Sequence, residues 1–294
     1  MQAAGTSFER THGAAQLRRA VILAGVLCAL AFGARAEALH ESVMKVPVGN
    51  WLDGGTIEVT VYKPEGPGPF PLAVLSHGSP RNAEQRRTGG RQRLVSQSEP
   101  FVALGFAVLV PTRRGYGNSG GGWAEAYGSC SDPHYYEAGL ESARDLRAAV
   151  DAVRAEPWAD AKRVLLVGQS AGGFASVAAS SEPMDGLLGV INFAGGRGSQ
   201  SPDQVCGEWR LVEAMGRYGR TARVPELWLY ATNDHFFKPS VAHRMHDAFV
   251  QAGGRAEFVT APETGLDGHA YFVRNIGDWT PRVADFARRV GAIH

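Results

Sequence analysis

The chain has 294 residues, of which 44% are hydrophobic and 20% are charged, a balance that supports a buried core and argues against extensive disorder. The 30 lysines and arginines nearly cancel the 29 aspartates and glutamates, so the formal net charge is +1. With so little net charge, the sequence predicts no nucleic-acid partner and no electrostatic attraction to an anionic membrane.

The first 36 residues have the composition of an export signal. Two arginines precede an uncharged run over residues 20–32, which is too short to span a bilayer comfortably. Residues 34–36 read Ala-Arg-Ala and fit a small-x-small cleavage site. We therefore predict a signal peptide over residues 1–36, a periplasmic or secreted protein, and no stable membrane span after the signal is removed. An anchoring helix is the alternative, and the paired arginines leave Sec and twin-arginine export both open.

The remaining chain, residues 37–294, alternates short apolar runs with amphipathic stretches. Strands are predicted over residues 56–63, 72–75, 106–110, 164–167, 188–191, 227–230 and 256–260. Helices are predicted over residues 132–153, 171–180, 241–252 and 280–290. This alternation predicts one α/β domain with a mostly parallel central sheet of about eight strands, flanked by helices. The connections at 116–136 and 195–223 are long, so we expect them to border a pocket as a small loop cap.

One strand-to-helix junction carries a nucleophile motif. Residues 168–172 read Gly-Gln-Ser-Ala-Gly between a predicted strand and a predicted helix, which is the context of a nucleophile elbow. The same spacing of two glycines around a serine, G-x-S-x-G, recurs around Ser119, but three glycines follow that serine and are a poor start for a helix. The sequence therefore favours Ser170 as the nucleophile and places Ser119 in a loop.

A serine hydroxyl needs a base within hydrogen-bond reach, and two strand ends offer partners. Asp234 follows the predicted strand at 227–230, and His269 follows the one at 256–260. The chain order of Ser170, Asp234 and His269 is that of one class of catalytic triad. Glu263 and Asp267 lie in the histidine loop and compete with Asp234 for the role of the acid.

The tetrahedral intermediate of acyl transfer needs hydrogen-bond donors for its oxyanion. We predict the backbone amide of Ala171 as one donor and that of Ser79, which follows the strand at 72–75, as the second. Aromatic residues of the two long connections are candidate substrate contacts, although they could equally form a packed cap. We predict Tyr116, Trp123 and Trp209 at the substrate.

Two cysteines remain in the mature chain, Cys130 and Cys206, one in each long connection. An even pair in an exported chain favours a disulfide, with two separate buried thiols as the alternative. His243 and His246 lie three residues apart on a predicted helix, but no third ligand follows at a recognisable spacing. We therefore predict neither a metal nor a cofactor.

Together, these motifs resemble the α/β-hydrolase superfamily over nearly all of residues 46–294. The compact plan is similar to dienelactone hydrolases and to the catalytic domain of prolyl-oligopeptidase relatives. It departs from the first in having a serine, Ser170, where they have a cysteine, and from the second in having no residues for a propeller. The resemblance implies an exported serine carboxylesterase acting on small ester substrates. A peptidase with the same triad and a non-catalytic binding protein are the alternatives.

Overall fold

The computed structural model describes residues 39–49 and 54–294, so the predicted signal peptide lies outside the described residues. The strands are β1 (Glu41–Val48), β2 (Gly55–Tyr62), β3 (Phe70–Ser76), β4 (Ala107–Thr112), β5 (Ala159–Gln169), β6 (Leu187–Phe193), β7 (Ser199–Ser201), β8 (Gln204–Val205), β9 (Pro225–Ala231) and β10 (Arg255–Ala261). The helices are α1 (Ala83–Thr88), α2 (Val95–Ala103), α3 (Tyr135–Asp151), α4 (Ala171–Ser180), α5 (Glu208–Gly219), α6 (Pro239–Gln251), α7 (Tyr271–Arg274) and α8 (Ile276–Arg289), with a 3₁₀ turn at Gly268–Ala270. The residues from Leu39 onward form one compact unit.

The central sheet has eight strands in the order β1-β2-β4-β3-β5-β6-β9-β10. Only the pairs β1–β2 and β2–β4 are antiparallel; every other neighbouring pair is parallel. This confirms the predicted fold class. The short strands β7 and β8 form a separate hairpin in the connection that follows β6.

The apolar runs form central strands because both faces of the sheet are covered. In β3, Leu72 and Val74 belong to one hydrophobic core, while Ala73 and Leu75 belong to the other. Helices α3, α4, α5 and α6 cover the first face, and α2 and α8 cover the second. A strand buried on both sides has no polar alternation, which explains why these segments read as continuous hydrophobic runs.

All seven predicted strands are present, and the differences concern elements that the sequence leaves as loops. Strand β1 is not predicted because its exposed edge position leaves only Val46 and Val48 fully buried. The connection at 195–223 contains the hairpin and the 12-residue helix α5, rather than being a loop throughout. Helix α8 begins at Ile276, with Pro281 inside it, instead of at residue 280.

No described helix is both long enough and apolar enough to cross a bilayer.

Candidate active site

Ser170 stands between β5 and α4 in a backbone conformation that side chains rarely adopt, with φ of 56° and ψ of −122°. The turn closes tightly because a Cβ on Gly168 would lie 2.2 Å from the Gly172 carbonyl oxygen, and one on Gly172 would lie 2.0 Å from the Ser76 carbonyl oxygen. Only glycine fits either position. This strained turn presents the serine at the carboxyl edge of the sheet, directly before the N-terminus of α4.

Ser119, which lies in the second copy of the motif, has a structural role. Its hydroxyl donates to the Thr112 carbonyl oxygen at 2.6 Å and accepts from the Glu58 amide at 3.0 Å. These bonds attach the loop to β4 and β2 and leave the side chain buried.

His269 and Asp234 meet beside Ser170, as their positions at strand ends predict. The His269 Nδ1 atom lies 3.1 Å from the Asp234 Oδ2 atom. The other carboxylate oxygen of Asp234 accepts the backbone amides of Phe236 and Phe237 at 2.7 and 2.9 Å. The carboxylate is thus almost fully buried with partners on both oxygens, so its orientation toward the imidazole is fixed.

The two competing acids do not contact the imidazole. Glu263 is exposed, and Asp267 accepts the backbone amides of His269 and His235 at 2.9 and 3.1 Å. Asp267 therefore shapes the loop that carries the histidine, while Asp234 is the carboxylate that faces the ring.

Contacts from neighbouring strand ends hold the histidine loop in place. The Gln169 side-chain amide donates to the His269 carbonyl oxygen at 2.8 Å, directly next to Ser170 in sequence. The imidazole stacks on the Phe236 ring with 4.0 Å between ring centroids and an interplanar angle of 8°. The Phe237 ring makes a further edge contact with the imidazole, at 5.6 Å between centroids, so the histidine is held through both its backbone and its ring.

Ser170 and His269 line one cleft, although no hydrogen bond joins their side chains in the described part of the chain. Catalytic hydrogen bonds often tighten only when a substrate is bound. The placement is compatible with proton transfer once a substrate occupies the cleft.

The segment 77–79 lies on the other side of the nucleophile. A Cβ on Gly78 would come within 3.4 Å of the Ser170 Cβ, which shows how closely the loop approaches. Among the described residues, neither the Ser79 amide nor the Ala171 amide donates to another protein group. Both donors are therefore available to an oxyanion.

Buried charged side chains hold the segment 77–79, the oxyanion loop, in place. Arg113 is fully buried, and its Nη1 atom donates to the His77 carbonyl oxygen at 2.7 Å and to the Ser76 hydroxyl at 2.9 Å. Its other nitrogens donate to both oxygens of Glu125, at 2.7 and 3.1 Å. Arg197 approaches the same carboxylate at 2.8 Å. The loop is thus attached to an Arg113–Glu125–Arg197 cluster.

The electrostatics of this cluster follow from its burial. Burial alone would raise the pKa of Glu125, but Arg113 and Arg197 hold it well below its ordinary value. Burial, and then Arg113, lower the pKa of His77 to about 3. His77 is therefore neutral, with Nδ1 donating to the Gly78 carbonyl oxygen at 2.7 Å and Nε2 accepting the Arg113 amide at 3.2 Å. It is a structural residue of the loop.

Two of the three predicted substrate contacts have other roles. Tyr116 is 1% exposed and is bonded through its hydroxyl to Glu125 and, at 2.8 Å, to the Ser79 hydroxyl, so it braces the oxyanion loop instead of lining the cleft. Trp209 is 62% exposed at the start of α5, stacks on Arg210, and is not among the described residues that line the cleft. Trp123 does line the cleft.

Cys130 and Cys206 form a disulfide, the pairing that the sequence favours. It joins the connection after β4 to the connection after β6, and both connections line the cleft. Nearby, the Tyr135 hydroxyl donates to the Cys206 carbonyl oxygen at 2.6 Å. The disulfide therefore links the two walls of the cleft.

The cleft has two chambers that meet at Ser170, and both are lined by Ser79, Pro80, Arg81 and Phe236. The Arg chamber, of about 80 Å³, is further lined by Arg86, Trp123, Tyr127, Ala171, residues 196–200 and Phe237. The His chamber, of about 420 Å³, is further lined by Gly78, Gln85, Gln169 and His269.

Sequence reasoning does not identify Arg81, Arg86, Arg197 or Phe236 as cleft residues. Arg81 lies five residues beyond the end of β3, and Phe236 lies two residues after Asp234, so strand-end position alone could have indicated both. Arg86 and Arg197 carry no comparable local indication. His243 and His246 both pack against the Phe258 ring, and the described residues contain no group of three or more possible metal ligands.

Known proteins resemble this chain in sequence pattern and in fold. A family model described as X-Pro dipeptidyl-peptidase (S15 family) matches residues 53–248. No curated protein is significantly similar to the chain in sequence.

Solved structures share the fold at low sequence identity. The acylaminoacyl peptidase of Pyrococcus horikoshii has a TM-score of 0.65 at 15% identity over 92% of this chain and 44% of that one. A puromycin-hydrolyzing peptidase of Mycobacterium tuberculosis has a TM-score of 0.59 at 18% identity over 86% of this chain and 40% of that one. An esterase of Pyrococcus furiosus has a TM-score of 0.58 at 17% identity over 86% and 94%. The chain thus has the α/β-hydrolase fold and spans less than half the length of these two peptidases.

Proposed function

The chain belongs to the X-Pro dipeptidyl-peptidase (S15) family, and from this premise we propose that it is a serine hydrolase, which cleaves small carboxylic esters through an acyl-enzyme intermediate on Ser170. The observation that carries the proposal is the placement of Ser170, on its strained turn, in one cleft with the His269–Asp234 pair.

In the proposed first step, His269 takes the Ser170 proton through Nε2 while the serine oxygen attacks the ester carbonyl. The Nδ1 atom of the ring is already directed to Asp234 at 3.1 Å, which leaves Nε2 for this task. Asp234 holds the required tautomer and stabilises the imidazolium that forms. Because both its oxygens are engaged, Asp234 maintains this orientation throughout the reaction.

The attack places negative charge on the former carbonyl oxygen. The amides of Ala171 and Ser79 are the proposed donors to this oxyanion, helped by the positive end of α4. Collapse of the intermediate releases the alcohol, which takes the proton from His269. Water then attacks the acyl-enzyme with His269 as the base again, which releases the acid and restores Ser170.

A peptidase activity is the second candidate, and the family description favours it. The same residues can cleave an amide, but an amine is a poorer leaving group than an alcohol and depends more on protonation by His269. Ester hydrolysis therefore makes the smaller demand on this site.

The experiment has two stages. A fluorophosphonate probe should label the wild-type protein and leave the Ser170→Ala variant unlabelled, whereas Ser119→Ala should label normally. Absence of labelling in the wild type would indicate a binding protein on a hydrolase fold. A panel of p-nitrophenyl esters and aminoacyl p-nitroanilides, X-Pro anilides included, then separates the activities. Higher kcat/KM for the anilides would replace the esterase proposal with the peptidase.

We further propose that the protein is exported, to the periplasm or outside the cell. The Cys130–Cys206 disulfide supports this proposal because such bonds persist in oxidising compartments and are rare in the cytosol. Fractionation of expressing cells and N-terminal sequencing test it. A mature N-terminus at Glu37 is expected, and a full-length cytosolic product would contradict the proposal.

A further inference from the structure

The side chain of Arg81 lines both chambers of the cleft. It crosses from the connection after β3 to that after β6, where its Nη2 atom donates to the Ser199 hydroxyl at 2.6 Å and its Nε atom donates to the Ser199 carbonyl oxygen at 3.2 Å. Ser170 borders both chambers, so an ester bound at the serine would extend its acyl part into one and its alcohol part into the other.

The position of His269 indicates which part of the ester enters each chamber. The histidine must deliver a proton to the departing alcohol, so the alcohol belongs in the His chamber, which His269 lines. The acyl part then enters the Arg chamber, on the side of the Ala171 amide. A volume of about 80 Å³ suits a short acyl group.

The Arg chamber is positively charged. Three arginines line it, Arg81, Arg86 and Arg197, and none of its described lining residues is an aspartate or a glutamate. Within the described residues, Arg81 and Arg86 have no carboxylate partner, whereas Arg197 is paired with Glu125. Beneath the chamber, Arg113 binds the same Glu125 carboxylate as Arg197.

The two unpaired guanidinium groups are also held in place. Arg81 lies 3.8 Å from the centre of the Phe236 ring, and Arg86 lies 3.8 Å from the centre of the Trp123 ring. In the described structure, Nη1 of Arg81 donates no hydrogen bond, and Arg86 uses only Nη1, weakly, on the Pro80 carbonyl oxygen at 3.4 Å. Several donors of two oriented cations are therefore available to an anion.

We propose that the Arg chamber binds an acyl group that carries its own negative charge, so that the substrates are monoesters of short dicarboxylic acids. This inference rests on the proposed ester hydrolysis and names its substrate class. The distal carboxylate accepts hydrogen bonds from Arg81 and Arg86 while the ester carbonyl lies at Ser170. The same charges disfavour the N-terminal ammonium group that a free dipeptidyl substrate would carry.

The test compares esters that differ only in that charge. p-Nitrophenyl hydrogen glutarate and p-nitrophenyl pentanoate have five-carbon acyl groups and the same leaving group. We expect kcat/KM for the glutarate ester to be at least about tenfold higher at low salt, and the ratio to fall as ionic strength rises. Equal values, or a preference for the pentanoate, would overturn the proposal.

Variants locate the effect. Arg86→Gln and Arg81→Gln should each lower the ratio about tenfold, because each removes a charged hydrogen-bond donor. Arg87→Gln is the matched control, since Arg87 is exposed on the same helix as Arg86 and does not line the cleft. An equal fall in the ratio for Arg87→Gln would mean that the preference for the glutarate ester comes from the general positive charge of the surface. That outcome would contradict the assigned site.

Two further measurements separate this inference from the proposed function. 4-Acetoxybenzoate carries its charge on the leaving group, and a preference for it over phenyl acetate would overturn the assignment of the chambers. Monomethyl glutarate should bind the Ser170→Ala variant, with binding weakened by Arg86→Gln. If no ester is turned over but this binding is found, the hydrolase proposal fails and the anion site stands. Turnover of neutral esters without such binding would instead support the hydrolase and refute the anion site.

Discussion

The two sides of Ser170 are held by different chemistry. On the oxyanion side, the loop at 77–79 is attached to buried charges, with Arg113, Glu125 and Arg197 all less than 5% exposed. On the acid–base side, Asp234 accepts two backbone amides of its own loop, and Asp267 accepts one amide of its own loop and one of the Asp234 loop. One half of the site is therefore attached to buried charges in the core, while the other half is assembled from the two loops that follow β9 and β10.

This difference has a thermodynamic consequence. Removing one member of a buried ion cluster leaves an uncompensated charge in the interior, which costs several kcal/mol of folding free energy. A side chain bonded to nearby backbone amides can be altered with far less effect on the rest of the protein. Substitutions on the acid–base side should therefore lower activity with little loss of stability. Substitutions on the oxyanion side should lower activity and stability together.

The largest loss of activity, with little loss of stability, is expected from replacing the nucleophile or the base. Ser170→Ala and His269→Ala should each lower turnover of an activated ester by roughly 10⁴ to 10⁶, because the members of a triad act as a unit. The double variant should be little worse than either single one. Steady-state kinetics with matched thermal melts would check this, and a melting temperature lowered by more than a few degrees would contradict the comparison.

Two carboxylates in the same region offer a sharper contrast. Asp234→Asn should lower kcat by about 10³ to 10⁴, because an amide opposite His269 Nδ1 favours the wrong tautomer. Asp267→Asn should cost less than about tenfold, since its side-chain oxygen can still accept the amides of His269 and His235. Near-full activity of Asp234→Asn combined with an inactive Asp267→Asn would show that the acid has been misassigned.

The same contrast explains which parts of the site can be predicted from sequence. Ser170, Asp234 and His269 are identifiable because each directly follows a strand or lies in the loop after one, and parallel strands end at a common edge. The buried cluster cannot be found this way, because Glu125 and Arg197 come from different connections and their pairing depends on how these pack.

The placement of the aromatic residues also could not be predicted from the sequence. Tyr116, Trp123 and Trp209 are grouped by type in the sequence, yet the structure buries the first, places the second in the cleft and exposes the third. Residue type indicates that a large ring must be placed, but tertiary packing decides which way it faces. The strands are predicted well because burial on both faces leaves a continuous apolar run that needs no tertiary information.

On the oxyanion side, Glu125→Gln should lower the free energy of unfolding by about 3 to 5 kcal/mol, because Arg113 and Arg197 lose their shared carboxylate. The pH dependence follows from the lowered pKa of Glu125. An acid with a depressed folded-state pKa stabilises the fold above its unfolded value, near 4.5, and this stabilisation is lost as the pH falls below that value. Denaturant titrations from pH 7 to pH 3 should therefore show that the free energy of unfolding falls less on acidification in Glu125→Gln than in the wild type. Parallel curves would argue against the ion cluster as a source of stability.

The disulfide joins the walls of the cleft without touching the nucleophile. Its removal should therefore affect stability and substrate binding more than the chemical step. It closes a 76-residue separation, for which the chain-entropy model gives roughly 4 kcal/mol, as an upper expectation. A Cys130→Ser/Cys206→Ser variant should melt at a lower temperature and show a raised KM, with kcat changed less than KM. Reducing agent should reproduce this in the wild type and leave the double variant unaffected. Titration of two free thiols in denatured, unreduced protein would refute the bond itself.

The smallest effect should come from Tyr116, which connects the buried cluster to the oxyanion loop. Tyr116→Phe removes the hydroxyl that is bonded to Glu125 and the Ser79 side chain and that accepts the Trp123 indole N–H at 3.3 Å, but it leaves Glu125 paired with both arginines. Because the Ser79 amide is the proposed oxyanion donor, loosening its loop should weaken binding of the transition state more than of the substrate. We expect kcat to fall about tenfold, KM to change less than kcat, and stability to fall little. Tyr62→Phe is the matched control, since Tyr62 is also a buried tyrosine hydrogen-bonded to a glutamate, Glu41, but lies outside the cleft lining. A rise in KM with constant kcat would instead make Tyr116 a substrate contact, and equal losses in the two variants would reduce its role to packing.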